Sequence, residues 1–126
     1  MAAENDADII YAIGTSPRFE TDNICFAGRR SGIYRSTDGG RSWEYGYGAL
    51  DVDAALPTPS VALSPAFGRD ATVFAGVAGG VLRSVDRGRS WSVAQLPSPP
   101  PFVVSLAVSP NFERDGVVLA GPMEDG

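Results

Sequence analysis

Within these 126 residues the same phrase is written twice in full and a third time in part, so the chain must fold as a row of similar units. Ser16-Pro17-Arg18-Phe19 returns as Ser64-Pro65-Ala66-Phe67 and as Ser109-Pro110-Asn111-Phe112, at spacings of 48 and 45 residues. Behind each copy stand an acidic residue (Asp22, Asp70 or Asp115) and a short apolar run closing on Ala-Gly at Gly28, Gly76 and Gly121. The stretch from Gly32 to Trp43 matches that from Gly80 to Trp91 in register, again 48 residues on. The connectors repeat too, as Leu56-Pro57-Thr58-Pro59 and Leu96-Pro97-Ser98-Pro99.

Each unit divides into four strand-like runs, which in the second repeat fall at 60–63, 72–75, 80–84 and 91–95. The 15 Gly and 10 Pro sit between these runs as the punctuation of tight turns, and no helical windows interrupt them. The Ser-Pro-x-Phe segments connect the first two runs, since Pro has no N–H to give a ladder. Residues 97–101 are a connector between repeats, like 57–59. With 44% apolar residues the units have material for a packed core. Four short strands every 45–48 residues is the period of propeller blades; leucine-rich and β-helical repeats are shorter. The expected fold is therefore all-β, a β-propeller segment of about two and a half four-stranded antiparallel blades. It forms a single partial domain over 1–126, with repeat 1 at about 7–56, repeat 2 at about 57–101 and a partial repeat 3 at about 102–126.

Two copies of one pattern, Ser-x-Asp-x-Gly-x-Ser-Trp, carry the most specific signal. They place Ser36, Asp38, Gly40 and Trp43 in register with Ser84, Asp86, Gly88 and Trp91. The aspartates are suited to accept turn N–H groups, the glycines to take a left-handed backbone, and the tryptophans to bury flat surface between sheets. The pattern resembles the Asp-box, or BNR, repeat of sialidases, sortilin-type receptors, xyloglucan-degrading hydrolases and the photosystem II assembly factor. That resemblance implies a box in the turn between the third and fourth strands of a blade, away from any catalytic centre. The eight box residues are accordingly expected to be structural.

The residues offer little catalytic chemistry. The Arg-Ile-Pro motif of sialidases is absent, and Arg35 and Arg83, at equivalent repeat positions, are expected to cover hairpins. A glycosidase needs two carboxylates roughly 5–9 Å apart across a cleft. The close pair Asp51 and Asp53 falls in a long loop after the first repeat. Zero His and a single Cys remove the usual zinc and nucleophile–base sets, so no metal and no cofactor are expected. Cys25 aligns with Val73 and Val118 and reads as a buried small hydrophobe. Tyr45 and Tyr47 stand where the second repeat has Val93 and Gln95. The preferred reading is an outer strand packing on a neighbour; the alternative makes them, with Trp43, ligand-facing aromatics that stack on a sugar or a peptide. A net charge of −5 argues against nucleic acid, no apolar run is long enough to span a membrane, and residues 1–8 do not read as a leader.

The expected function is a non-catalytic binding or scaffold module for a protein or glycan partner. The alternative is a fragment of a secreted glycoside hydrolase whose catalytic residues lie on missing blades. Its open edge should meet the remaining blades or self-associate. Box serines follow the Ala-Gly glycine by eight residues in both full repeats, Gly28 to Ser36 and Gly76 to Ser84. The same count from Gly121 lands three residues past Gly126, so the pattern is expected to continue there.

Overall fold

A computed structural model of the chain describes residues 9–46, 57–77, 80–94 and 103–122. The chain is mostly β, in three antiparallel sheets taken in sequence order. Strands β1 (Ile10–Thr15), β2 (Cys25–Arg29), β3 (Gly32–Ser36) and β4 (Glu44–Tyr45) make the first sheet, each paired with the next. Strands β5 (Ser60–Leu63), β6 (Val73–Val77), β7 (Gly80–Ser84) and β8 (Ser92–Ala94) make the second in the same order. Strands β9 (Val103–Val108) and β10 (Val118–Pro122) pair as the third.

One-turn helices stand between the first two strands of every unit: α1 (Phe19–Asp22), α2 (Phe67–Asp70) and α3 (Phe112–Asp115). This corrects the expectation of a chain without helix. The turn is built by side chains that the repeated Ser and Asp supply. Ser16 Oγ accepts the Arg18 N–H and donates to Asp22 Oδ2 at 2.6 Å, while Asp22 Oδ1 accepts the Ile24 N–H. The same clip joins Ser64 to Asp70 and Ser109 to Asp115. The backbone groups a lone helical turn leaves open are thereby partly satisfied locally, which propensity over four residues would not achieve. Each turn stops on a left-handed residue, Asn23, Ala71 or Gly116.

Strand alternation then sorts the faces. In the first sheet Ile13, Ala27, Tyr34 and Tyr45 are mutual partners along one row; in the second the row is Val61, Ala75, Leu82 and Val93. The second row contributes Ala75 and Leu82 to a core that also holds Phe26 and Ile33 of the first sheet, with Val61 packed against it. The opposite face of the second sheet sends Phe74 and Val81 against Leu106, Val108, Phe112 and Val118 of the third unit. The sheets thus stack as an open row, β1 against β5 and β5 against β9. Phe26 meets Phe67 edge-on at 6.2 Å, and Phe74 meets Phe112 edge-on at 5.7 Å, so one aromatic joint is used twice. At the two ends of the row lie exposed apolar residues: Ile13 and Tyr45 on the first sheet, Leu119 on the third. No helix among the described residues is long and apolar enough to cross a membrane.

Candidate functional site

The two boxes fold alike. Ser36 Oγ donates to Asp38 Oδ1 at 2.8 Å and accepts the Gly40 N–H at 2.8 Å. Asp38 Oδ1 accepts the N–H groups of Arg41 and Ser42, and Oδ2 accepts the Ser42 hydroxyl at 2.6 Å. The Trp43 indole closes the loop on the Gly40 carbonyl at 3.1 Å. In the second box Ser84, Asp86, Ser90, Gly88 and Trp91 take the same parts. Both turns need two consecutive left-handed residues: Gly39 and Gly40 in the first, Arg87 and Gly88 in the second. Each turn also hangs from the residue that ends the preceding helix, since Gly39 donates to the Asn23 carbonyl and Arg87 to that of Ala71. Box and clip are therefore one connected loop assembly, joined at an end of the sheet.

The boxes differ in what they touch. Trp91 is 6% exposed and meets Phe26 edge-on at 6.4 Å, so the second box plugs into the first sheet. Trp43, at the free end of the row, is only half-buried.

The carboxylates are held ionised by these loops. The Ser42 hydroxyl and amide, then the Ser36 hydroxyl, keep Asp38 well below the usual carboxylate range. For Asp86 desolvation pushes upward, but hydrogen bonds from the Ser90 hydroxyl and amide, the Ser84 hydroxyl and the Arg89 amide together outweigh it, leaving the group at about 2 against an ordinary 3.8. A depressed folded value means the unfolded chain binds more protons in that interval. The contribution is thus full above pH 3.8 and is lost as pH falls through about 2. Asp86→Ala should cost about 1–3 kcal/mol at neutral pH, because several turn donors lose their acceptor. The deficit should shrink as both proteins are taken below pH 3, measured by urea unfolding at a series of pH values. A loss that stays constant down to pH 2 would contradict this account.

The remaining candidates are scattered. Tyr45 is 43% exposed and its ring lies 5.5 Å from that of Tyr34, over which Arg29 stacks at 4.9 Å. Burial, then the neighbouring Tyr34, pushes the Tyr45 phenol up. Arg35 bridges Glu44 at 3.1 Å across the β3–β4 pair and reaches the Arg87 carbonyl of the second box at 3.4 Å. Arg83 is exposed. Cys25 is buried and free; burial pushes its thiol up, partly countered by a hydrogen bond with Ser36. Tyr47, Asp51, Asp53 and residues 97–101 lie outside the described residues. Among the described residues no three His, Cys, Asp or Glu side chains gather as a metal site would require.

The Ser–Asp clips are the elements that sequence reasoning passed over as connectors. Their signal was present, since Ser16, Ser64 and Ser109 each precede the paired aspartate by six residues. The sequence matches no protein-family model and none of the curated proteins it was compared with.

Proposed function

We propose that the chain is a segment of a β-propeller of the Asp-box type that serves as a non-catalytic binding or scaffold module for a protein or glycan partner. One observation carries the reading. The row Ile13, Ala27, Tyr34 and Tyr45 occupies, in the first sheet, the positions through which Val61, Ala75 and Leu82 dock the second sheet on the first. In the first sheet the two ends of that row are open to solvent, Ile13 56% and Tyr45 43% exposed, while Ala27 is buried, and tyrosines stand at the positions of Leu82 and Val93. Tyrosines supply broad contact area at little cost in side-chain entropy and keep a polar tip, the chemistry of a recognition surface. The spending of Asp22, Asp38, Asp70, Asp86 and Asp115 on their own loops supports a non-catalytic role.

The test pairs binding with turnover on the full chain. Calorimetric titration with xyloglucan oligosaccharides and sialyllactose should either give a heat that Tyr45→Ala removes, marking a glycan partner, or none, leaving a protein partner. Incubation with a fluorogenic sialoside and a fluorogenic β-glucoside should give no product. Turnover that Asp51→Ala or Asp53→Ala abolishes would replace this reading with that of a glycoside hydrolase fragment.

A further inference from the structure

Two clefts separate the three helical turns, and they differ in charge. The cleft between α2 and α3, of about 140 Å³, holds a bidentate pair: Arg69 Nε and Nη2 bond the two carboxylate oxygens of Glu113 at 2.7 and 2.6 Å. Repeat register puts Glu113 at the position that Gly68 fills one unit earlier. The cleft between α1 and α2 therefore has no such acid, and it is wider, about 560 Å³. Guanidiniums line it instead. Arg87 Nη2 lies 3.4 Å from the Gly68 carbonyl, and Arg18 Nε lies 3.5 Å from where a side chain on Gly68 would begin. Arg69 stands at its rim.

Among the described residues Arg18 and Arg87 have no carboxylate within ion-pair distance. Asp22 lines the same cleft, but its oxygens accept the Ser16 hydroxyl and the Ile24 N–H. Two like charges converge over a glycine in a molecule whose net charge is −5. Guanidiniums bond oxyanions through paired, charge-assisted N–H donors, and the neighbouring cleft shows that geometry with an internal carboxylate. Pro17 and Pro65 form part of the walls, and the volume suits a small ligand group.

We propose that the α1–α2 cleft is an oxyanion site, in which Arg18 and Arg87 hold a carboxylate, sulfate or phosphate group of a ligand, as Arg69 holds Glu113 in the next cleft. Its lining includes no residue of the tyrosine row of the first sheet, and the proposal does not depend on that surface binding anything.

The experiment titrates the full chain with sodium acetate, sodium sulfate and sodium phosphate at ionic strength held constant with chloride. It follows the melting temperature and the arginine Nε–Hε resonances. A saturable response confined to Arg18, Arg87 and Arg69 is expected. A preference for acetate assigns a carboxylate ligand, and a preference for sulfate or phosphate assigns an ester of those acids. Two variants should each weaken the response at least about tenfold, as the loss of one charge-assisted hydrogen bond implies. Arg87→Gly removes a guanidinium at a left-handed position where the first box has Gly39. Gly68→Glu places the carboxylate that Glu113 provides next door. Arg18→Gln, at an exposed side chain, supplies the same reading should either of the others fail to fold. A linear response shared by chloride, or saturation unchanged in the folded variants, would overturn the proposal.

Discussion

Phe26→Ala should destabilise the protein by about 3–5 kcal/mol, the cost of removing a fully enclosed aromatic ring from a site that cannot collapse around the gap. Phe26 has 0% exposure and joins units that are distant in sequence. Its ring meets Phe67 at 6.2 Å and Trp91 at 6.4 Å, both edge-on, so one side chain ties β2 of the first sheet to the helix and box of the second. For a domain with a total stability of about 5–15 kcal/mol this is a large share. Leu119 occupies the same repeat position in the third unit but is 66% exposed. Leu119→Ala should therefore cost well under about 1 kcal/mol. Urea unfolding followed by tryptophan fluorescence and by circular dichroism would measure both. Equal losses at the two positions would mean that the sheets are not coupled through Phe26.

Gly88→Ala should be the more damaging of two formally identical substitutions. Gly88 and Gly40 occupy the same box position with φ of +85° and +94°, so an alanine is strained at either by about 1–2 kcal/mol. A Cβ at Gly40 would meet nothing nearer than the Trp43 ring at 3.6 Å, an ordinary contact. A Cβ at Gly88 would fall 2.3 Å from Phe26 Cε1 and 2.8 Å from its Cζ, with Arg35 Cδ 3.3 Å away. The Phe26 ring is itself wedged between Phe67 and Trp91 and has nowhere to turn. Overpacking of this kind adds about 1–3 kcal/mol to the backbone strain. Gly88→Ala is thus expected to lose about 2–5 kcal/mol in all, and Gly40→Ala only the strain. Thermal melts of the two variants side by side decide the matter. A Gly40→Ala loss as large as that of Gly88→Ala would show that the turn, and not the seam between sheets, sets the cost.

Repetition made the local structure legible. Strands 60–63 and 80–84 were placed to the residue, and 72–75 and 91–95 overlap β6 and β8, because turn glycines and apolar alternation constrain a hairpin from within. The one-turn helices escaped notice because four residues with a single apolar side chain, the Phe that opens each, show no helical period, and their cause is a hydrogen-bonded clip across six positions.

What the sequence by itself determined is the repeating unit: its four-strand hairpin pattern, the two boxes and the residues that recur at each turn. These depend on contacts between neighbours in the chain, and identical segments make them identically. Only the tertiary structure decided how equivalent residues come to differ. Trp91 is sealed against Phe26 while Trp43 stays half open, and Gly88 is locked while Gly40 is free. Arg69 is neutralised by Glu113, while among the described residues Arg18 and Arg87 have no carboxylate paired with them, the one acid of their cleft, Asp22, being bonded within its own turn. The physical reason is that burial and charge pairing arise between units, so a residue's surroundings depend on which sheet lies beside it.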